Sequence, residues 1–590
     1  MAVVNLTIDN VKVQVEEGTT ILDAAKTIGV NIPTLCASKE IGHTPGACRV
    51  CIVEVEGSKN FVASCVFPVR EGMIVRTNTK NVRDARRMIV ELLLSDHVDD
   101  CNYCVRNNNC ELQRVAEIVG IKEPKLEKTA KFIDDRKEEL ELAIDLSSPS
   151  IVRDQRKCIK CGRCVTVCAN IQSVNALGME GRGFELGVVP TFSLPLFQTN
   201  CVACGQCIMA CPVGALHEKD DVEEVWKVLQ DPTKHVVVQE APAIRASLGE
   251  EFGMPPGTLV TGKMIAALRR LGFDKIFDTN FAADLTIIEE GHELIERVKT
   301  GGKLPMTTSC SPGWIKFIEH FFPDLLENVS TCKSPQQMFG ALAKTYYAEF
   351  AKIDPKDIIV VSIMPCTAKK FECQRDEMSD SGFKDVDYVL TTRELGRMIK
   401  EAGIDFVNLP DEDYDAPMGE YTGAGTIFGA TGGVMEAALR TVYAVVTGEN
   451  LPDLNITPVR GLEGVKEAKV NVPNLGEVRV AVAHGLANAR KILEKVRDGE
   501  ADYHFIEIMT CPGGCIAGGG QPIPTTNEIR RLRSEALYRD DCKVQTKRQS
   551  HENESIKKLY QAFLEKPLGH KSHHLLHTKY TKRGTSIPHK

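Results

Sequence analysis

The cysteines are the residues whose type and spacing most clearly indicate chemistry: there are 22 in 590 residues, most of them in close groups before residue 212. Two groups repeat the pattern C-x2-C-x2-C-x3-C, the ligand spacing of bacterial ferredoxins with two [4Fe-4S] clusters, in which the fourth cysteine of each run binds the other cluster. A two-cluster domain is therefore predicted at 145–225. Its expected ligand sets are Cys158, Cys161, Cys164 and Cys211 for one cluster, and Cys201, Cys204, Cys207 and Cys168 for the other.

A third group lies nearer the N-terminus and consists of Cys36, Cys48, Cys51 and Cys65, with gaps of eleven, two and thirteen residues. Zinc sites usually show two close pairs of ligands. One lone cysteine, one pair and one distant cysteine instead suggest a loop around a [2Fe-2S] cluster, broadly as in plant-type ferredoxins, although the first gap is longer here. Residues 1–79 are therefore predicted to form a [2Fe-2S] domain, and a zinc site is the alternative.

A fourth group combines His97 with Cys101, Cys104 and Cys110, just after a segment with helical periodicity. One turn before three cysteines, the histidine is interpreted as a ligand. An imidazole in place of a thiolate makes a cluster less negative and changes its reduction potential. Residues 80–124 are predicted to be a [4Fe-4S] domain with one histidine and three cysteine ligands, although spacing alone does not exclude a zinc site.

Composition narrows the class of protein. A net charge of −8, with 43% hydrophobic and 26% charged residues, gives no reason to expect nucleic acid or an anionic membrane as partner. The N-terminus lacks the features of a signal peptide, and no segment is apolar enough to span a bilayer. Because disulfides favour small secreted chains, so many cysteines in metal-ligand spacing indicate a reducing compartment, most simply the cytoplasm.

Four cluster sites in series predict an electron relay, and the rest of the chain must hold what the relay serves. Residues 232–530 alternate apolar strands with helical segments, which predicts α/β layers around a buried sheet. Ligands bind at the ends of such strands, and Cys310, Cys366, Cys511 and Cys515 lie at predicted strand ends or in turns. We therefore expect a multidomain α+β and α/β fold, with ferredoxin-like iron–sulfur modules first and an α/β domain last.

Three segments around these cysteines resemble a known family. "TSCSPGW" at 308–314, "MPCTAKKFE" at 364–372 and "FIEIMTCPGGCIAGGG" at 505–520 are similar to the signature segments of the [FeFe]-hydrogenases. The upstream groups resemble those of the long clostridial type with four accessory clusters, and residues 531–590 resemble the small-subunit segment of the family. The resemblance implies reversible formation of H2 from two protons and two electrons.

The resemblance also implies a catalytic H-cluster, in which a [4Fe-4S] cube is joined through one cysteine sulfur to a two-iron unit with CO, cyanide and azadithiolate ligands. It assigns Cys366, Cys511 and Cys515 to the cube, with Cys515 as the bridge, and Lys369 to a hydrogen bond with a cyanide. Six further residues would line the pocket: Pro242, Pro335, Gln336, Met364, Phe428 and Met509. The implied cofactors are one [2Fe-2S] cluster, three accessory [4Fe-4S] clusters and the H-cluster.

The family has a proton route, whose members here would be Cys310, Glu290, Ser330, Glu293 and Arg297. The sequence supports part of it independently, because Glu290, Glu293 and Arg297 fall at i, i+3 and i+7 of a helical segment and share one face. Two acids on one face near a buried cofactor can relay protons. Such a pattern is ordinarily interpreted as a solvated stripe of salt bridges. The resemblance to the hydrogenases favours the proton relay instead.

Ser311 departs from the family pattern T-S-C-C-P, in which the first cysteine relays the proton and the second binds the cube. By position, Cys310 is the relay and Ser311 stands in for a cube ligand. A serine oxygen is a harder and more basic ligand than a thiolate, so it should bind iron–sulfur centres less readily. Ligation by Ser311, ligation by Cys310, and a cube on three cysteines are the three possible outcomes.

The same segment bears on electron partners. "TSCSPGW" also resembles catalytic subunits of multimeric, electron-bifurcating hydrogenases that couple to NAD(P), and the chain shows no convincing nicotinamide or flavin fingerprint. Ferredoxin, or an NAD(P)-linked flavin and iron–sulfur subunit, is the expected partner, and maturation proteins must supply the two-iron unit. The alternatives are an H2 sensor and a non-catalytic electron-transfer subunit. Only the electron-transfer subunit would not need Cys366, Cys511, Cys515 or Lys369.

The remaining residues carry weaker signals. Residues 125–148 are charged and helical in pattern, which predicts a linker or surface helix. Cys332, Cys373 and Cys542 match no motif and are expected to be structural. Six histidines between residues 551 and 590 are irregularly spaced, which favours a solvated tail over a metal site.

Overall fold

The computed structural model describes residues 2–128 and 144–584. Most of the predicted linker or surface helix at 125–148 lies outside these residues. The described part comprises three N-terminal units that carry the cysteine groups, an α/β unit built on two sheets, and a final helical segment.

The first unit is a small sheet with one helix. Its elements are β1 (Val3–Ile8), β2 (Val11–Glu16), α1 (Ile21–Thr27), β3 (Ile52–Val55), β4 (Val62–Ala63) and β5 (Ile74–Arg76). The five strands have the order β2-β1-β5-β3-β4. Apolar residues alternate along β1, so that Leu6 and Ile8 enter the core. Thr20 begins α1 by accepting a hydrogen bond from the amide of Asp23.

The second and third units are mostly loops held by short elements, because their backbone must wrap around the cysteines. The second contains α2 (Lys80–Ser95) and α3 (Glu111–Ile118), and His97 follows the end of α2. The third contains β6 (Ile144–Asp145), β7 (Ile151–Asp154), α4 (Arg163–Thr166), β8 (Leu177–Glu180), β9 (Gly187–Pro190), α5 (Gln206–Ala210) and β10 (Leu216–Glu218). Its strands form a sheet of order β10-β7-β6 and a separate β8–β9 hairpin.

The C-terminal unit is built on two four-stranded sheets. Their strands are β11 (His235–Glu240), β12 (Lys275–Asp278), β13 (Met306–Thr307), β14 (Ile358–Met364), β15 (Tyr388–Thr391), β16 (Val465–Val472), β17 (Gly476–His484) and β18 (Phe505–Met509). The first sheet, β12-β11-β14-β15, is wholly parallel, and in the second, β13-β18-β17-β16, only β16 and β17 are antiparallel. Buried Val and Ile dominate β11 and β14, as expected where helices cover both faces. The predicted α/β layers are confirmed.

The helices around these sheets run from α6 to α16. Their bounds are α6 (Val222–Leu229), α7 (Thr261–Leu271), α8 (Thr279–Thr300), α9 (Pro312–Phe321), α10 (Pro335–Leu342), α11 (Ala348–Ala351), α12 (Ala368–Glu372), α13 (Thr392–Glu401), α14 (Gly423–Ile427), α15 (Gly433–Thr447) and α16 (Leu486–Arg497).

Helix α8 is buried along most of its length although it carries several acids. Asp278 caps its first turn by accepting from the amide of Asn280, and Gly301 ends it with a φ of 72°. Glu289 is fully buried and Glu290 is 2% exposed. Because a buried carboxylate is costly unless it is hydrogen-bonded or protonated, each of these acids needs partners from neighbouring segments.

The last segment contains α17 (Asn527–Arg539), α18 (Glu554–Leu559) and α19 (His570–Leu576), and it packs against α8. The expectation of a solvated tail is therefore wrong for residues 551–584: Leu559 and Leu576 are fully buried and His577 is 4% exposed. The end of the predicted tail, with His589, lies outside the described residues. Glu289 of α8 accepts hydrogen bonds from four groups of this segment: the hydroxyls of Tyr560 and Ser572, the amide of Leu568 and the ring of His577. The described histidines are irregularly spaced along the sequence because they lie on or beside short helices that pack against the rest of the protein.

Glu289→Ala should loosen the final segment, because it leaves those four donors buried without an acceptor. We expect the free energy of local opening of residues 554–577 to fall by about 3 kcal/mol, measured by hydrogen exchange. Glu296→Ala, at an exposed position of the same helix, is the matched control and should change it by less than about 0.5 kcal/mol. Equal protection in both variants would contradict the anchoring role of Glu289.

Candidate active site

A cavity lies where strands of both C-terminal sheets end. Pro242 comes shortly after β11, Cys366 shortly after β14, and Cys511 shortly after β18, while Cys310 and Ser311 come shortly after β13. Because the carboxyl ends of parallel strands meet at one edge of a sheet, this arrangement gathers residues that are distant in sequence.

The cavity gathers the pocket residues expected from the sequence. Its lining includes Cys310, Ser311, Cys366, Lys369, Cys511, Cys515, Pro242, Pro335, Gln336, Met364, Phe428 and Met509. Thr279, Ala283 and Thr510 also line it and were not predicted, because their residue types carry no distinctive chemistry. Glu290, Ser330, Glu293 and Arg297 lie outside the lining, in a separate chain described below.

Glycines let the cysteine segments close tightly around this cavity. A Cβ added to Gly518 would lie 2.1 Å from the carbonyl oxygen of Pro365. One added to Gly514, whose φ is +95°, would lie 2.7 Å from the amide nitrogen of Thr431. Only glycine fits at both positions, as expected where backbone wraps a bulky group.

Three of the four cysteines that line the cavity, Cys366, Cys511 and Cys515, are thiols that require a cation. Burial raises the pKa of Cys366 and Cys511, and raises the pKa of Cys515 to about 12, because a buried thiolate loses its hydration. A metal ion deprotonates a coordinating thiol by supplying positive charge. Oε1 of Gln336 is also buried, with no hydrogen-bond partner among the described residues. The cysteine ligands and the glycine cradle fit an iron–sulfur group.

Lys369 places a fixed positive charge at the wall of the cavity. Its Nζ donates to Oε2 of Glu372 at 2.8 Å and to the carbonyl oxygen of Cys310 at 3.2 Å. Glu372 is itself held by Ser334 Oγ at 2.8 Å and Gln336 Nε2 at 3.1 Å. A positioned ammonium donor of this kind is suited to an anionic ligand.

Cys310 and Ser311 are adjacent but face different surroundings. Oγ of Ser311 lies 2.8 Å from the hydroxyl of Thr510 and accepts from its amide at 3.3 Å, next to Cys511. Burial, and then the nearby carboxyl group of Glu290, raise the pKa of the Cys310 thiol well above its usual value. Ser311 is therefore on the side of Cys511, and Cys310 is on the side of Glu290.

A chain of polar side chains runs from Arg297 to Glu290. Arg297 donates to Oε1 of Glu293 at 2.6 Å, and Ser330 Oγ donates to Oε2 of Glu293 at 2.8 Å. Burial, and then the carboxylate of Glu293, raise the pKa of Glu290 to about 8, whereas a hydrogen bond with Ser330 lowers it. Glu290 is therefore protonated near neutral pH, so that it can donate as well as accept a proton.

Four cysteines of the third unit and the residues of the His97 group each surround a site of their own. One cavity is lined by Cys158, Cys161, Cys164 and Cys211, which brings the last cysteine of the second run to the first. Another is lined by His97, Cys101, Cys104 and Cys110. Nδ1 of His97 is buried and has no partner among the described residues, as expected of a metal ligand. A Cβ added to Gly214 would lie 2.5 Å from the sulfur of Cys104, so glycine is required there too.

The first unit gathers its cysteines around one point. Hydrogen bonds from the thiols of Cys48 and Cys65 lower the pKa of Cys36. A hydrogen bond with Cys65 likewise lowers the pKa of Cys51 to about 6. Four sulfurs that share hydrogen bonds in this way are close enough to hold one small metal group.

The second ferredoxin-type run touches the catalytic cavity directly. Gly205 has a φ of +68°, and a Cβ there would lie 2.4 Å from Oγ1 of Thr367. A Cβ on Gly519 would lie 2.6 Å from the carbonyl oxygen of Cys204. Thr367 Oγ1 also donates to the carbonyl oxygen of Ala203 at 2.8 Å. The backbone of this run is therefore in contact with both cysteine segments of the cavity.

Arg163, in the first ferredoxin-type run, joins the three N-terminal units. It donates to the two carboxylate oxygens of Glu111 at 2.8 and 2.9 Å. It also donates to the carbonyl oxygens of Cys36 and Ala37 at 3.2 and 2.9 Å. A guanidinium has the five N–H donors that such a junction needs.

Family models match the chain in the same order as these units. The model of the iron only hydrogenase large subunit, C-terminal domain, matches residues 234–519, and that of the iron hydrogenase small subunit matches 527–583. Upstream, the 2Fe-2S iron-sulfur cluster binding domain matches 1–80, the NADH-ubiquinone oxidoreductase-G iron-sulfur binding region matches 86–125, and the 4Fe-4S dicluster domain matches 157–215.

Individual relatives match over almost the whole length. The NADP-reducing hydrogenase subunit HndD of Solidesulfovibrio fructosivorans is 52% identical over 99% of this chain and 100% of its own. Iron hydrogenase 1 of Clostridium pasteurianum is 42% identical over 98% of this chain and 99% of its own. The chain belongs to the [FeFe]-hydrogenase family. A solved variant of the [FeFe]-hydrogenase of Chlamydomonas reinhardtii is 46% identical, with a TM-score of 0.56, over 62% of this chain and 100% of that one.

This [FeFe]-hydrogenase therefore has the family, the fold class and the types of cofactor domain that its sequence predicts. It acts on H2 and carries [2Fe-2S] and [4Fe-4S] domains ahead of its H-cluster domain. Among the helices of the described ranges, none has the length and apolar character required to cross a bilayer. The number of clusters and the individual ligands remain predictions.

Gly519→Ala should disturb the contact between the relay and the cavity, because the new Cβ would lie 2.6 Å from the carbonyl oxygen of Cys204. We expect a loss of about 1–3 kcal/mol of stability and slower oxidation of the prereduced clusters by protons in stopped-flow absorption. Gly178→Ala is the matched control, since no atom lies within 4 Å of a Cβ at that position. Indistinguishable behaviour of the two variants would contradict the close contact.

Proposed function

We propose that this [FeFe]-hydrogenase is the H2-converting subunit of a multisubunit complex that exchanges electrons with NAD(P). Support comes from the full-length match to the NADP-reducing hydrogenase subunit HndD and from the match of residues 86–125 to an iron–sulfur region of NADH-ubiquinone oxidoreductase. Partner chains would then carry the nucleotide chemistry, with reduced ferredoxin as the alternative donor. Maturation proteins would insert the two-iron unit, and we place the complex in the reducing cytoplasm.

One observation carries the catalytic proposal: Cys366, Cys511 and Cys515 share a cavity that contacts the relay through Thr367. A fourth cysteine of the same cavity, Cys310, lies close enough to Glu290 of the polar chain for that carboxyl group to raise its pKa. The residues fit an H-cluster held by Cys366, Cys511 and Cys515, with Cys515 as the bridging ligand. When bound, that group supplies the iron at which protons and electrons combine. Of the possible fourth cube ligands, we favour Ser311, because its hydroxyl lies on the side of Cys511.

The remaining pocket residues would position and protect this group. Lys369 is held beside the cavity by Glu372 and would donate a charge-assisted hydrogen bond to a cyanide. Pro242, Met364 and Phe428 would form an apolar wall that excludes water, which strengthens the electrostatic interactions inside.

Electrons would follow the contacts between units. They would enter at the [2Fe-2S] or the His97 site, both of which are joined through Arg163 to the first ferredoxin-type run. The crossed ligand sets would pass them to the second run, and the contact between Gly205 and Gly519 would bring them to the cavity. The relay would therefore have two entries and one exit.

Protons would follow the polar chain inward. Arg297 would hold Glu293 in place at the entrance, Glu293 would receive the proton, and Ser330 would pass it to Glu290. Glu290, protonated near neutral pH, would then pass a proton to Cys310 in the cavity wall.

The proposed function is tested by an anaerobic infrared spectrum of the matured chain, together with H2-oxidation assays. We expect CO and cyanide bands that shift under H2, viologen-dye reduction by the chain alone, and NADP⁺ reduction only after partner subunits are added. Direct reduction of NADP⁺ by the isolated chain would contradict the subunit assignment. Absence of the bands, with accessory clusters intact, would contradict the H-cluster and point to an electron-transfer subunit.

Glu290→Gln should slow H2 evolution by about 100-fold or more, because the amide cannot transfer the proton. In the unmodified protein, H2 evolution should fall as the pH rises through about 8, where Glu290 loses its proton, and the variant should lack this step. Glu296→Gln, exposed on the same helix, is the control and should retain both the rate and the step. Unchanged infrared bands in Glu290→Gln would show that the cofactor is retained, and an unchanged rate would contradict the relay.

A further inference from the structure

A buried group of three different metal-ligating side chains lies beside the proton chain. Glu293 of α8, Cys332 and His577 each offer one ligand atom, and all three atoms lie within 4.8 Å of one another. Cys332 Sγ is 3.9 Å from Glu293 Oε2 and 4.0 Å from His577 Nδ1. The side chains come from three separate segments and are 7%, 0% and 4% exposed respectively.

The ring of His577 is oriented to accept a metal. Its Nε2 lies 3.2 Å from Oε2 of Glu289, a carboxylate that already accepts three other hydrogen bonds. A carboxylate only accepts, so Nε2 carries the proton and Nδ1 presents its lone pair. Nδ1 faces the hydroxyl of Thr331 at 2.8 Å and the sulfur of Cys332. A histidine whose other nitrogen donates to a carboxylate is the usual arrangement of a metal ligand.

The two distances at Cys332 are close to those of a tetrahedral site. Bonds of about 2.3 Å from zinc to sulfur and about 2.0–2.1 Å to nitrogen or oxygen put ligand atoms about 3.5 Å apart. The observed separations of 3.9 and 4.0 Å at Cys332 require shifts of only a few tenths of an ångström. Rotation of the Thr331 hydroxyl would free Nδ1 of His577.

We propose that Cys332, His577 and Glu293 form a binding site for a thiophilic divalent cation such as Zn²⁺ or Cd²⁺. One thiolate, one carboxylate and one neutral imidazole balance a dication, so the occupied site is neutral and burial does not oppose it. On binding, the metal–sulfur bond replaces the S–H bond of Cys332, and the proton leaves to solvent. Sulfur and imidazole ligands select such cations over Mg²⁺ or Ca²⁺.

Binding there would interrupt the proton chain. The carboxylate oxygen of Glu293 nearest Cys332 is Oε2, which is also the acceptor of the Ser330 hydroxyl. A cation on Oε2 would take that acceptor away from Ser330, whereas Arg297 could stay on Oε1. The site would therefore be inhibitory, a consequence that rests on the proposed proton route, whereas binding itself does not.

The test uses the full-length holoenzyme, equilibrated with Zn²⁺ or Cd²⁺ and then assayed for bound metal, iron content and H2 evolution. We expect one tightly bound Zn²⁺ per chain, with a zinc-edge X-ray absorption signal from one sulfur and from nitrogen and oxygen neighbours. Cys332→Ala should lose this zinc and keep its basal activity without zinc inhibition. Cys542→Ala, which removes an exposed thiol, is the matched control and should behave like the unmodified protein.

A further variant tests the orientation of the histidine. Glu289→Gln should weaken zinc binding by about 10- to 100-fold, because it removes the carboxylate that fixes the ring of His577. Mg²⁺ at the same concentration should neither bind nor inhibit.

Three outcomes would overturn the site. Equal zinc binding by Cys332→Ala and the unmodified protein would show an adventitious ion only. Loss of the zinc in Cys542→Ala would assign it to the exposed thiol, and release of iron in proportion to zinc bound would assign it to cluster ligands. Zinc bound through Cys332 without any effect on turnover would instead confirm the site and contradict the proton route. Zinc binding can be measured even on a chain without H2 turnover. Failure of the zinc site and failure of the proposed function are therefore distinguishable.

Discussion

The need of buried thiolates for positive charge is the constraint on which the rest of this structure depends. Burial raises the pKa of the thiols of Cys366, Cys511 and Cys515, so these side chains would act as thiolate ligands only beside a cation such as an iron centre. The glycines that tighten the cysteine segments and the fixed ammonium of Lys369 make sense around such a group. The same logic applies upstream, where His97 keeps a buried nitrogen free of any partner among the described residues.

Connections between units are made by hydrogen bonds that begin or end at residues of the cysteine loops. Arg163 reaches the carbonyl of Cys36 and the carboxylate of Glu111, and His43 reaches the carbonyl of Cys161 at 2.8 Å. Such contacts fix the distance between neighbouring cofactor sites more firmly than apolar packing would, because hydrogen bonds are directional. The relay is therefore built into the interfaces between units.

The sequence predicted most of what depends on local spacing. Runs such as Cys158 to Cys168 set a ligand pattern within a few residues, and the strands of the α/β unit follow from apolar runs between helical segments. The family resemblance supplied the pocket, including Phe428 and Met509, which periodicity alone does not single out.

What the sequence did not predict depends on contacts between distant segments. Thr510 has no recognisable signal until the fold places its hydroxyl 2.8 Å from Ser311. Cys332 and His577 each matched no motif, because they are 245 residues apart and meet only through the packing of the last segment against α8. The same packing overturned the expectation of a solvated tail, since histidines that are irregular along the chain can still share one surface.

Helix α8 carries Glu289, Glu290 and Glu293 within little more than one turn, so one short stretch serves both the anchor of the final segment and the proton chain. A molecule clipped before α18 would keep every cysteine of the relay and of the cavity, and with them its iron and its brown colour. It would lack the four groups of the last segment that donate hydrogen bonds to Glu289 of this helix. Iron content and absorbance would therefore overstate the competent fraction of a preparation, and an intact C-terminus is the better criterion of its quality.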